Sequence, residues 1–391
     1  MIVAKRPYFP MGKFPTCKMY KSRCFMANYH VKSGISVAGG AGTFAGASAE
    51  KIATRKSFGE ALVRLAAKRD AIVVLDADLC SSVQTAAFAR EYPERHFNMG
   101  IAEQNMLGAA AGFATRGKIP FTCTFSIFAT GRPWEIIRNS ICYPNLNVKI
   151  LGSHAGILTG EDGASHQALE DIAIMRALPN MKVVQPADHF ETLSVMEKVV
   201  DDYGPTYIRV LRQATPVLYS GVEGAANGGG SGGGTTAGGR PCNFEFGKSD
   251  VLFDSSAVGK AGTKAKKVDV CIFATGALVA SSLEAAQRLT QEDGKKVIVV
   301  NVSSIKPLDE ETILACAKRA RVCVTAEDHS VIGGLAGAVS EVFAAEGVGV
   351  KLVKIGMQDR FGESGKPKDL YKKYGFDADG VYRAICGNIK K

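Results

Sequence analysis

Residues 101–125, IAEQNMLGAAAGFATRGKIPFTCTF, set a helix pattern directly before a strand pattern. Small and apolar residues fill most of positions 107–114, so a helix over 101–116 is covered on most of its surface. PFTCTF at 120–125 carries no charge. An uncharged run of this kind suits a strand buried on both faces, as in a parallel sheet sandwiched between helix layers. Glu103 enters the helix near its start, where the macrodipole favours a carboxylate. A buried carboxylate must still be neutralised, paired or put to use, because leaving it alone is costly.

The same alternation extends in both directions. KSFGEALVRLAAKRD (56–70) reads as an amphipathic helix and AIVVLDA (71–77) as a buried strand. Helix PWEIIRNSI (133–141), strand NVKILG (147–152) and helix 168–177 follow. Strand KVVQP (182–186), helix 189–200 and strand PTYIRVL (205–211) complete the series. A second series opens at VDVCIFATG (268–276), with helix 278–291, KVIVVNV (296–302), helix 309–319, RVCVTAED (321–328), helix 334–346 and KLVKIGM (351–357). A helical tail over 367–390 closes it. Strands separated by helices predict an α/β chain with two doubly wound, Rossmann-like domains. The expected divisions are an extension over 1–49, a domain over 50–220, a linker or insertion over 221–265, and a domain over 266–391.

Composition narrows the function classes. The 391 residues are 46% hydrophobic and 22% charged, the balance of a globular protein. No apolar run of about 18 residues is present, so no membrane span is expected. The net charge of +10 is mostly local. Residues 1–49 hold seven Lys or Arg and no acid, leaving only +3 for the rest. That argues against a nucleic-acid partner for the folded part. The basic opening is read as a disordered extension, with organelle import as the other reading, and the chain is otherwise expected in the cytoplasm. Ten Cys without a CxxC pair suggest neither zinc nor a disulfide framework. Residues 221–240 contain ten Gly and little apolar surface, as a flexible linker or surface loop does. The run GGGSGGG lacks the Lys and Ser/Thr of a phosphate-cradling loop.

Ligands of such sheets bind beyond the carboxyl ends of the strands. Asp78, Leu79 and Ser82 fall there, as do Phe125 and Phe128, His154, and the run GEDGASHQ with Asp162 and His166. Arg55 precedes the first domain's first helix, and Arg212 follows its last strand. Singly these are ordinary residues of turns and element ends. What groups them is the resemblance their order carries.

The order also carries a resemblance. IAEQNM, CTFSIF, HAGILTGEDGASHQALEDIAIMRALPNM (154–181) and GPTYIRVLRQ are similar to the pyrimidine-binding domain of the thiamine diphosphate-dependent transketolases. The later segments SSIKPLD, AED, GGLAGAVSE and DRFGESG resemble that family's C-terminal domain. The resemblance implies that Glu103 shares a proton with the cofactor's pyrimidine ring, activating the thiazolium carbon, a role a buried carboxyl suits. Phe125 and Phe128 would stack on that ring, and Asp78 and Leu79 would touch the cofactor near its thiazolium. A third aromatic of the family is replaced here by Gly131, with Trp134 as a possible filler. On the substrate side, Asp162 would bond a hydroxyl, and His166 would serve the C1 hydroxyl and carbonyl. Arg55, Ser82, His154 and Arg212 would take a sugar phosphate's phosphate, His154 being counted with the catalytic residues as well. An Arg fork suits phosphate because it makes paired charge-assisted bonds.

The resemblance equally implies what lies elsewhere. The family holds the diphosphate through Mg2+ or another divalent cation on a GDG…N motif in a separate N-terminal domain. No GDG occurs in this chain. The expectation is one subunit of a split transketolase, in a hetero-oligomer with a dimeric core, whose partner chain carries that motif and most of the metal site. Its activity would be transfer of a two-carbon ketol unit from a ketose phosphate to an aldose phosphate, as in the pentose phosphate pathway. Three other readings stand beside it. Deoxyxylulose-phosphate synthases carry similar runs but usually Arg at the position of His154. The β-subunits of 2-oxoacid dehydrogenases lack the His and Arg set. A non-catalytic protein derived from the enzyme half is the third.

Overall fold

The computed structural model describes residues 50–222, 241–256 and 267–389. The expected 1–49 extension, most of the glycine-rich stretch and residues 257–266 lie outside the described residues. Two sheets organise the chain. In the first, β1 (Ile72–Asp76), β2 (His96–Asn98), β3 (Ile119–Phe125), β4 (Lys149–Ser153), β5 (Lys182–Val184) and β6 (Thr206–Arg209) run parallel. In the second lie β7 (Asp250–Asp254), β8 (Val268–Ala274), β9 (Val297–Asn301), β11 (Ala320–Ser330) and β12 (Lys351–Met357). Between β9 and β11, the short β10 (Ser304–Lys306) leaves the second sheet and pairs antiparallel with β5. The first sheet is therefore ordered β10-β5-β6-β4-β3-β1-β2, and the second β7-β9-β8-β11-β12.

Every residue of β1, β4, β6 and β9 is buried, as mostly apolar runs predict for strands covered on both faces, and the charges at strand ends, Asp76, Lys149 and Arg209, are buried with them. Phe58 and Leu62 of the Thr54–Ala66 helix and Val195 and Val199 of the His189–Asp201 helix cover one face of the first sheet with Phe121 and Ile208. Met106 and Ala110 of the Glu103–Thr115 helix cover the other with Ile150 and Tyr207. The Leu278–Gln291 and Ala378–Cys386 helices pack one face of the second sheet. Helices Glu310–Ala317 and Leu335–Ala345 pack its opposite face. The α/β, doubly wound architecture is the one the alternation predicts.

Local differences have local causes. The helix expected at 133–141 is α-helical only over Trp134–Ile136, then widens, with Tyr143 N–H donating to the Arg138 carbonyl five residues back. The tail splits into Pro367–Tyr374 and Ala378–Cys386, because Gly375 adopts a left-handed φ of 74° that ends the first helix. Within the expected linker or insertion over 221–265, residues 241–256 carry strands. Pro241–Cys242 pairs with Gly221–Val222, and β7 forms the antiparallel edge of the second sheet. Each residue of β7 is only half buried, and its sequence offers just the three apolar residues 251–253 between Asp250 and Asp254, too short a run to betray a strand. Among the described residues no helix is long and apolar enough to cross a membrane, and the eight described cysteines are free thiols.

Candidate functional site

The carboxyl ends of β1, β3, β4 and β6 open onto one polar pocket of about 500 Å³, lined by Arg55, Ser81, Ser82, Gln84, Phe125, His154, Asp162, His166 and Arg212. Seven of these nine were singled out in the sequence. Segments up to 157 residues apart converge because parallel strands end on the same side. His154 follows β4 and Arg212 follows β6, while the Thr54–Ala66 helix brings Arg55 alongside.

The cationic wall comes first. Arg55 Nη1 donates to the Ser82 carbonyl at 2.6 Å, and Arg212 Nη1 donates to the Thr159 carbonyl at 2.6 Å and to Asp162 Oδ2 at 3.3 Å. Burial, and then the facing Arg212, pushes the Arg55 guanidinium below its ordinary value. Two guanidiniums held near one another in a pocket favour an anion between them.

His154 sits between that wall and the aromatics. It is 3% exposed and adopts a left-handed φ of 56°, a conformation that costs a non-glycine residue on the order of 1–3 kcal/mol. Its carbonyl accepts from Thr159 Oγ1 at 2.6 Å, and its ring Nδ1 lies 3.0 Å from Ser153 Oγ. Its ring stacks on Phe125, centroids 3.9 Å apart at 24°. Burial, with Arg55, Arg212 and His166 adding positive charge nearby, lowers its pKa to about 3. His154 is thus neutral near pH 7 and meets a ligand through a neutral ring nitrogen. His166 stands edge-on to Phe128 at 5.3 Å, with Ser165 Oγ at 2.9 Å from Nδ1.

Glu103 and Phe128 lie behind the pocket. Phe125 and Phe128 stack at 6.0 Å and 14°, offering a flat apolar face. Glu103, 3% exposed at the head of its helix, is not free: Arg132 Nη1 lies 2.8 and 2.9 Å from its two carboxylate oxygens. The same guanidinium stacks 4.3 Å from the Phe128 centroid. A flat, nitrogen-bearing cation therefore seats itself on Phe128 and on the carboxylate at once. That is the pair of contacts an aminopyrimidine needs, so Glu103, Phe125 and Phe128 fit such a ring. A Cβ at Gly131 would meet no atom within 4 Å. Trp134 does not fill that space, because its indole N–H bonds the Ile174 carbonyl at 3.1 Å and its ring packs in the core behind β1.

Asp78 and Leu79 stand apart from the pocket lining. Asp78 is exposed with φ 62° and takes a bond from Asn98 Nδ2 at 3.0 Å, while Leu79 leans on the core around Phe58. Ser81, Gln84 and Arg132 were missed in the sequence. Ser81 and Gln84 flank Ser82 on a short helical turn that ends with Gln84 at φ 69°. Arg132 lies four residues after Phe128, the spacing that places two side chains on one helical face.

Comparison with known proteins identifies both domains. Residues 50–217 match the family described as transketolase, pyrimidine binding domain, and residues 259–381 match transketolase, C-terminal domain. A protein of Methanocaldococcus jannaschii, named "Putative transketolase C-terminal section", is 47% identical over 337 residues, covering 86% of this chain and 96% of that protein. Rat transketolase is 34% identical over 345 residues, 88% of this chain but 50% of the rat protein. A solved structure described as a split gene transketolase, inactive beta4 tetramer, superposes with a TM-score of 0.71 at 43% identity, covering 88% of this chain and all of that one. The chain belongs to the transketolase family, of which it carries the pyrimidine-binding and C-terminal domains.

Proposed function

We propose that this chain is the catalytic C-terminal subunit of a two-chain transketolase, moving a ketol unit from a ketose phosphate to an aldose phosphate. The observation that carries the reading is the pocket in which Arg55, Arg212, Ser82 and His154 face Asp162, His166 and Phe125, with the buried Glu103 linked to it through Arg132 and Phe128. When bound, thiamine diphosphate would supply the carbon nucleophile for the ketose carbonyl. Glu103 would hold a proton at the pyrimidine edge in the place Arg132 now takes, and Phe128, backed by Phe125, would cover a face of the ring. Arg55, Arg212, Ser82 and neutral His154 take the terminal phosphate. Asp162 accepts from a sugar hydroxyl, and His166 exchanges a proton with the C1 hydroxyl and carbonyl region. Asp78 and Leu79 serve the thiazolium side, where a partner surface would complete the pocket.

The diphosphate and its divalent cation are assigned to a separate N-terminal chain bearing GDG…N, the two chains forming a hetero-oligomer with a dimeric core. The split-gene relative and the C-terminal-section relative support that division. Co-expression with such a chain, followed by assay with xylulose 5-phosphate and ribose 5-phosphate, tests it. Ketol transfer by the mixture is expected. Turnover only with pyruvate and glyceraldehyde 3-phosphate would overturn the reading, as would full activity of this chain alone.

A further inference from the structure

The loop that carries Asp162 and His166 rests on the second sheet's side of the molecule. Asp328, fully buried near the end of β11, accepts from Ile157 N–H at 2.8 Å, from Leu158 N–H at 3.4 Å and from Tyr371 Oη–H at 3.1 Å. Gly156, with φ 71°, passes so close that any Cβ would collide with the Asp328 carboxylate. The far end of the loop is pinned as well. Gln167 Nε2 donates to the Glu363 carbonyl at 3.0 Å and to the Gly160 carbonyl at 3.3 Å. A Cβ on Gly160 would press on Pro367 at 2.8 Å, and one on Gly163 would collide with the Ser364 hydroxyl. Arg209, itself fully buried, ties the same corner together, donating to Asp171 and to the Asp328 and Ala168 carbonyls.

A buried carboxylate is tolerated where hydrogen bonds compensate it. Here two of the three donors concern the loop directly, and all three groups meet at one carboxyl. Between the pins, Arg212 holds the Thr159 carbonyl and Asp162. The position of Asp162 is therefore set jointly by the pocket and by Asp328, 166 residues further along the chain. We propose that Asp328 is a positioning residue: through it the C-terminal domain holds loop 156–167 where Asp162 and His166 meet the sugar phosphate, an assignment that rests on the ketol-transfer reading above. Misplacing reacting groups by about 1 Å costs on the order of 10²-fold in rate.

Three variants of the full chain test this, each alone and mixed with its diphosphate-binding partner. Asp328→Ala is expected to speed amide exchange at Ile157 and Leu158 in the isolated chain. In the mixture it lowers kcat/KM for the ketose phosphate by about 10–100-fold, with cofactor affinity unchanged. Asp328→Asn restores most of this loss, since its amide oxygen still accepts from Ile157 N–H. Tyr371→Phe, which removes one bond and little volume, gives a smaller change of the same kind and carries the test if Asp328→Ala fails to fold. Unaltered exchange at 157–158 would overturn the proposal, as would a loss spread evenly over cofactor affinity, exchange throughout the chain and turnover. If the wild-type mixture transfers no ketol unit, the functional reading falls, while the exchange data still decide whether Asp328 holds the loop.

Discussion

Arg132 spans both oxygens of the Glu103 carboxylate with one guanidinium nitrogen, at 2.8 and 2.9 Å, while lying 4.3 Å from the Phe128 ring centroid. The acid that a sequence reading leaves buried and available is, in this chain, already paired. The pairing explains how a carboxylate 3% exposed is tolerated without a ligand. It also means that a pyrimidine ring seated on Glu103 would have to displace Arg132, whose side chain is 47% exposed. Arg132→Ala should destabilise the chain alone by about 1–3 kcal/mol, the cost of stripping a partner from a buried charged group. The same change should tighten thiamine diphosphate binding to the two-chain mixture by about tenfold, or 1.4 kcal/mol. Urea unfolding and a fluorescence titration measure the two effects, and weaker cofactor binding would show that Arg132 assists rather than opposes the ring.

Glu103→Gln keeps the side chain's volume and its burial but cannot pass a proton between carboxyl and ring nitrogen. Loss of a general acid–base group costs roughly 10²–10⁴-fold in rate, and a fall of that size in kcat is expected in the mixture. Unchanged kcat would remove Glu103 from the chemistry.

The two facing guanidiniums make a different prediction. Burial and Arg212 both press on Arg55, a strain that an anion relieves. Arg55→Ala should raise KM for sugar phosphates by about 10–100-fold, as expected for a lost charge-assisted contact of about 1.5–3 kcal/mol, with kcat nearly unaltered. Inhibition by inorganic phosphate should weaken in parallel. A fall in kcat with KM unchanged would place Arg55 outside the phosphate site.

Buried histidines set part of the pH dependence of stability. The pKa of His154 is lowered to about 3 and that of fully buried His329 to about 4, both chiefly by burial. The unfolded chain therefore binds these protons first, at its ordinary value near 6.5. Their contribution to stability is intact above that value and is lost progressively as pH falls from about 6.5 toward 3–4. Urea midpoints at pH 7.5 and pH 5 should differ in that direction. His154→Asn, a residue that tolerates left-handed backbone, should reduce the difference. An NMR titration in which His154 takes up its proton near pH 6.5 would contradict the buried, neutral ring.

Much of this protein was legible without coordinates because its elements are set by short-range pattern. Val73–Leu75, Phe121, Ile150–Leu151 and Val297–Val300 form uncharged runs that have no comfortable place except inside a covered parallel sheet. Strand ends of such a sheet share one edge, and the resemblance to the transketolase pattern grouped Arg55, Ser82, Phe125, His154, Asp162, His166 and Arg212, which line one pocket. What local pattern lacks is any record of contacts between distant, individually unremarkable residues. Half-buried β7 and three-residue β10 carry no periodicity, and they form only because β9 and β5 present open edges. The grip of Arg132 on Glu103 spans 29 residues, and that of Asp328 on Ile157 spans 171. Burial makes each of these contacts energetically necessary, because a charge withdrawn from water must find a partner, and which partner is near is decided by tertiary packing.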